Sequence, residues 1–175
     1  MWPWGHAAVG YVVITVLWIG WRRRPLFGRE VLAVIVGTQV PDLVDKPLTW
    51  IVPLLPSGRS LGHSAVIWAI VAVVVVLSVR NTEYDDLALL VLLGYFLGLL
   101  SDLPTAVIRG DISEVSYLLW PLLPAPTFEI EPDLLIHLAE IELSDLVRLA
   151  VVCSGLLLGQ QLLWFLWSKA PRTDP

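Results

Sequence analysis

Apolar runs close to membrane-spanning length, each ending in a few polar residues, constrain this chain more than any other feature. Five of them occupy residues 4–21, 29–44, 63–79, 87–103 and 146–167. A helix needs roughly 20 predominantly apolar residues to cross the hydrocarbon core. The run at 63–79 is rich in Val and Ile, but it is too long for a buried strand. The run at 29–44 is short, and Pro47 and Pro53 argue against its clean continuation. The 45–62 connection is therefore a candidate to dip into the membrane. Apolar residues make up 57% of the chain and charged residues 15%, with a mean hydropathy of +0.76, which excludes an ordinary soluble domain. The expected fold class is all-α: a polytopic integral membrane helix bundle of about five transmembrane helices. Residues 1–168 form one domain and 169–175 a cytoplasmic tail.

Between the last two runs lies a Pro-rich segment, 104–145, with Pro104, Pro121, Pro124, Pro126 and Pro132. Its apolar patch, 115–123, is too short to span and reads as interfacial or re-entrant. The segment carries Asp111, Glu114, Glu129, Glu131, Asp133, Glu140, Glu142 and Asp145 against the single basic Arg109. Such a charge balance argues against nucleic acid as a partner. His137, among these acids, reads as solvated.

Orientation follows from Lys and Arg placement. Arg22, Arg23, Arg24 and Arg29 follow the first run, Arg80 the third, and Lys169 and Arg172 the fifth. If five helices alternate, all of these share one side, which the positive-inside rule makes cytoplasmic. Only Lys46, Arg59, Arg109 and Arg148 fall opposite. The N-terminus is then outside and the C-terminus cytoplasmic. The first run lacks a basic region before it, so it reads as an anchor rather than a cleavable signal. Trp2, Trp4, Trp18, Trp21, Trp120, Trp164 and Trp167 lie near run ends, where Trp collects at interfaces. The single Cys153 excludes an intramolecular disulfide and reads as a core or lipid-facing residue.

Under that alternation His6, Asp42, Asp45, His63 and Asp102 all fall at the outer level. Hydropathy and Lys/Arg bias set the placement without reference to these residues, so their coincidence is independent information. Asp42 and Asp45 share a helical face if the last turn survives. Like charges there repel, and acids at a helix C-terminus oppose its dipole, so a cation would relieve both. The bland alternative pairs them with Lys46 or Arg59. His63 follows Gly58-Arg59-Ser60-Leu61-Gly62, with Ser60 a candidate N-cap and residues 61–63 a first turn. A helix start favours the neutral imidazole that binds metal. His6 alone is more simply an interfacial residue. Asp102, an acid at the membrane edge, is a functional candidate by default. Gly94 and Gly98 suit close helix packing, and Arg59 suits either a carboxylate or an anionic substrate group. No nucleophile elbow, Walker A loop, His-Glu-x-x-His or Cys-x-x-Cys is present.

These landmarks resemble the YdjM-like family of membrane-bound metal-dependent hydrolases over roughly residues 1–125. The matching elements are Gly5-His6, Pro41-Asp42-Leu43-Val44-Asp45, Gly58-Arg59-Ser60-Leu61-Gly62-His63-Ser64, and Gly94-Tyr95 with Asp102. Trp120-Pro121 is similar to a later Trp-Pro element. The chain departs from the pattern at Gly58 and Gly98, where the family has His, at Gly62, where it has Thr, and in Pro41-Asp42-Leu43-Val44-Asp45, which has one spacer more than the family's Pro-Asp-x-Asp element. The resemblance implies a metal-dependent hydrolase, with two imidazoles fewer and a weaker or single-metal site.

The expected site holds one divalent ion, zinc or manganese, on His6, Asp42, His63 and Asp102. Asp45 is a further ligand or general base, and Arg59 assists catalysis. The expected activity is hydrolysis of a phosphoester, possible in a lipid, at the outer membrane face. Two alternatives remain: a non-catalytic scaffold with a degenerate site, which an Asp102–Arg59 pair would support, and a small transporter. The acids sit at run ends rather than mid-span, which disfavours the transporter.

Overall fold

The computed structural model describes residues 3–103, 112–126 and 143–169. Outside the described residues lie Trp2, Arg109, Asp111, Glu129, Glu131, Asp133, His137, Glu140, Glu142 and Arg172, together with most of the Pro-rich segment and the C-terminal residues 170–175. Among the described residues there are five α-helices and no strand: α1 Pro3–Arg22, α2 Arg29–Trp50, α3 Ala65–Val79, α4 Asp85–Ser101 and α5 Leu143–Lys169. A 3₁₀ segment, Ile112–Leu119, lies between α4 and α5 and packs on α3.

The helices differ from the sequence expectation mainly at one end of the molecule. α2 runs through Pro41 and Pro47 to Trp50, well beyond the expected stop at 44. A proline removes one helical hydrogen bond, but contacts elsewhere can hold the turn. Here the Asp45 carboxylate is bound by the 60–63 backbone, and Pro47 O accepts from Ile51 N–H at 3.0 Å. Asp42 and Asp45 consequently stand inside the last turns of α2 rather than at its terminus. α3 begins later than expected. Ser64, not Ser60, is its N-cap, accepting from the Ile67 N–H at 3.2 Å. The Ser60 hydroxyl instead donates to Ser57 O.

The core is a cluster of Ile14, Trp18, Leu26, Ala33, Val34 and Leu90, and α2 packs most extensively on α4. Glycines make that seam. A Cβ on Gly37 would stand 2.3 Å from Val91 O, and one on Gly94 2.5 Å from Val34 O. Any side chain at either position would force the backbones apart. The opposite end of the bundle is basic. Arg22 pairs with Asp86, and Arg24 makes a forked contact to Glu30, whose carboxylate also accepts from the Phe27 N–H at the start of α2.

α5 attaches through polar contacts to an otherwise apolar surface. The Tyr11 hydroxyl donates to Gln160 Oε1 at 2.6 Å, and Gln160 Nε2 donates to Leu26 O. Its Val151, Leu158 and Leu162 are exposed, as are Ile70, Val73 and Leu77 on α3. Exposed apolar area of this extent marks a surface that water does not cover. Two helices, Pro3–Arg22 and Val147–Lys169, are long and apolar enough to cross a membrane, and Ala65–Val79 is a shorter apolar helix.

Candidate metal centre

Four of the helices deliver their polar residues to one end. His6 comes from the first turns of α1, Asp42 and Asp45 from late α2, His63 from the turn before α3, and Asp102 from the C-cap of α4. Four are well covered, Asp45 at 0% exposed, His63 1%, His6 4% and Asp102 6%, while Asp42 is half-buried. Asp102 sits between the two imidazoles, its Oδ1 3.7 Å from His6 Nε2 and its Oδ2 3.4 Å from His63 Nε2. His63 Nε2 is also 3.7 Å from Asp42 Oδ1. Arg59 reaches the edge of the cluster, 3.8 Å from Asp102 Oδ1. The expected residues are thus neighbours in space.

Each histidine is oriented through its other nitrogen. His63 Nδ1 lies 2.8 Å from Asp45 Oδ2, and its Nε2 faces Asp42 and Asp102, so the ring stands among three carboxylates. His6 Nδ1 contacts Ser101 Oγ. That hydroxyl already donates to Gly98 O at 2.8 Å, so it accepts the Nδ1 proton. The Nε2 lone pair of His6 therefore faces Asp102. This tautomer assignment follows from the hydrogen-bond network. His6 Nε2 stands too far from Asp102 Oδ1 for a hydrogen bond, whereas His63 Nε2 makes a long one, 3.4 Å, to Asp102 Oδ2. Two ligands held at about 2.0–2.2 Å by one tetrahedral ion stand roughly 3.3–3.6 Å apart, which is close to the spacing observed. As they stand, no group of three or more His, Cys, Asp or Glu among the described residues is arranged so that it could hold a metal ion.

Asp45 is occupied differently from its neighbours. Its carboxylate accepts from the backbone N–H groups of Ser60 at 2.7 Å, Gly62 at 2.6 Å and His63 at 3.1 Å, besides the His63 imidazole. Both oxygens are engaged inside the protein. Asp42 keeps one oxygen toward His63 while Lys46 Nζ holds the other at 2.7 Å. The Lys46 pairing anticipated from the sequence therefore coexists with Asp42 facing the cluster.

The glycines that depart from the family pattern have a steric explanation. A Cβ on Gly98 would lie 2.8 Å from Thr38 O, and one on Gly62 2.6 Å from Pro41 O. At both positions the α2 backbone fills the place that a side chain would need. Other motif residues interlock around the site. The Tyr95 hydroxyl donates to Gly62 O at 2.7 Å, and Ser64 Oγ donates to Trp120 O.

Two contributors were not singled out from the sequence. Ser101 orients His6 across a separation of 95 residues that no local pattern reports. Tyr117 enters from the 3₁₀ segment, 1% exposed, its ring edge-on to His63 at 6.0 Å and 6.0 Å from Arg59 Cζ. Burial pushes the Tyr117 phenol up to about 12, so it remains a hydrogen-bond donor. The only sequence signal for it is an aromatic residue just before Trp120-Pro121. Asp42 also lines a cavity of about 340 Å³, together with Pro3, Gln39, Leu43, Lys46 and Trp50.

No curated protein and no solved structure matches the chain. The family model for the YdjM inner membrane protein matches residues 1–168, and with nearly the whole chain covered, the protein belongs to the YdjM inner membrane protein family.

Proposed function

We propose that the protein is a membrane-embedded, divalent-cation-dependent hydrolase of a phosphoester at the outer face of the bilayer. The observation that carries this is the meeting of two imidazole Nε2 atoms with the Asp102 and Asp42 carboxylates at 3.4–3.7 Å. Carboxylates brought together in a buried site repel unless positive charge, from a proton on an imidazole or from a bound cation, lies among them. Two imidazoles and two carboxylates suit zinc or manganese. His6, Asp42, His63 and Asp102 would hold the ion. In the arrangement described, no three of these side chains are placed to hold a metal ion, so this reading requires them to rearrange around the ion as it binds. When bound, a divalent ion supplies Lewis-acid polarisation of a phosphoryl oxygen.

The remaining residues have supporting roles. Asp45, with both oxygens engaged, fixes the tautomer and direction of His63, as carboxylates behind metal-bound histidines do. This replaces the general-base role expected from the sequence. Lys46 holds Asp42, Ser101 holds His6, and Arg59 faces the anionic part of the substrate. The apolar cavity beside Asp42 supports a lipid as the ester's carrier.

Five spans, with the N-terminus outside, remain the topology we propose, because charge separates the two ends of the bundle. Labelling a cysteine introduced in 104–111 from outside intact cells tests it, and labelling only from the cytoplasmic side would overturn it. Activity is tested by phosphate release from phosphatidic acid in mixed micelles. Release should stop on chelation and return with zinc or manganese. Release unaffected by chelation would refute metal dependence. A scaffold reading draws support from the Arg59–Asp102 approach at 3.8 Å, and it predicts neither metal nor turnover.

A further inference from the structure

Tyr117 presents an unusual combination of burial and an unused donor. Its hydroxyl is buried and has no hydrogen-bond partner among the described residues. Buried tyrosine hydroxyls normally find one, because leaving the group unmade in a dry environment is costly. A phenylalanine would fill the same space and keep the edge-on contact to His63 without that penalty. Thr15 Oγ1, Trp18 Nε1 and Thr49 Oγ1 are also unpartnered, but they belong to α1 and the end of α2 and are not among the side chains of the cluster. Tyr117 does adjoin it, against both His63 and Arg59. Functional sites are where unpaired donors are tolerated, since a ligand completes them.

We propose that the Tyr117 hydroxyl and the Arg59 guanidinium form an oxyanion subsite that holds the non-bridging oxygens of a tetrahedral phosphoryl group beside His63 and Asp102. Arg59 supplies charge and a planar fork of donors that matches phosphate. Tyr117 supplies a neutral donor held rigid by its packing. The ligand class is a phosphate monoester, which presents several such oxygens at once. The subsite deepens the hydrolase reading and rests on it for the substrate, though its binding chemistry stands without turnover.

The test uses the full chain in detergent, titrated with inorganic phosphate by calorimetry, with metal content and unfolding midpoint measured alongside. Tyr117→Phe should keep the parental metal content and an equal or higher unfolding midpoint, while phosphate affinity falls by about tenfold or more, the worth of one hydrogen bond to a charged group. Arg59→Lys should weaken phosphate similarly. Parental phosphate affinity in Tyr117→Phe would overturn the subsite, and so would a lowered midpoint, because the hydroxyl would then have a structural partner. Phosphate bound through Tyr117 and Arg59 by metal-free protein would keep the subsite and sink the hydrolase reading. Metal bound without phosphate affinity would do the reverse. Displacement of phosphate by short-chain phosphatidic acid but not by glycerol phosphate assigns a lipid headgroup; equal displacement assigns a soluble ester, and either supports the subsite.

Discussion

Replacing Asp45 gives the sharpest test of how the centre is built. Its carboxylate accepts three backbone N–H groups and the His63 imidazole, in a position with no solvent exposure. A hydrogen bond to a charged group contributes roughly 1.5–3 kcal/mol net. Simple addition over these partners overshoots, because the turn can relax once its anchor is gone. Removing one partner from a buried charged network typically costs about 3–5 kcal/mol, and we expect Asp45→Ala to fall there. Asp45→Asn retains the shape and one strong acceptor but turns an NH₂ group toward N–H donors, so it should lose roughly half as much. Reversible unfolding in detergent micelles, followed by Trp fluorescence, reads both. Both variants should also bind metal more weakly, because His63 loses the partner that aims it. An Asp45→Ala loss below about 1 kcal/mol, the range of an ordinary surface change, would refute the anchoring argument. Parental stability and metal binding in Asp45→Asn, with hydrolysis alone abolished, would restore Asp45 as the general base.

Three further outcomes follow from the packing. Gly98→His, which supplies the imidazole that the resemblance implies here, should destabilise the fold by at least about 1–3 kcal/mol because its Cβ meets Thr38 O at 2.8 Å; an unchanged unfolding midpoint with increased metal affinity would show that α2 yields easily. Ser64→Ala removes the α3 N-cap and the bond to Trp120 O, at a cost of about 1–2 kcal/mol, read by the same unfolding measurement, and no loss would mean the cap is replaced by water. Gln160→Leu disconnects α5 from Tyr11 and Leu26; interhelical bonds of this kind contribute about 0.6–1.7 kcal/mol in membranes, and protease sensitivity of α5 should rise, whereas unchanged cleavage would place its attachment elsewhere.

The helices and the meeting of His6, Asp42, His63 and Asp102 were legible in the sequence, because hydropathy periods and helix alternation place residues by arithmetic along the chain. The small pair Gly94 and Gly98 also signalled a close seam, although its partner Gly37 did not stand out. Helix ends were less legible. Pro47 is a local stop signal, but Asp45, captured by amides of a distant turn, carries α2 past it to Trp50. The same capture spends the amides of Ser60, Gly62 and His63 and moves the α3 cap to Ser64. Roles within the cluster were hidden for a related reason. Asp42 and Asp45 are alike in sequence, and only their hydrogen-bond partners separate one that faces the centre from one that holds a histidine. Tyr117 and Ser101 lie far from their partners along the chain, so no spacing announces them. The departures at Gly98 and Gly62 read as missing side chains in the sequence; in the fold they are places where the α2 backbone stands.

The central claim is that two oriented imidazoles and two carboxylates hold one divalent ion. Metal analysis of chelator-free protein, compared with His63→Ala and Asp102→Ala, tests it most directly. The account predicts about one zinc or manganese ion per chain in the parent and its loss in both variants while the helical content is retained. Parent protein without stoichiometric metal, or variants that keep it, would contradict the account.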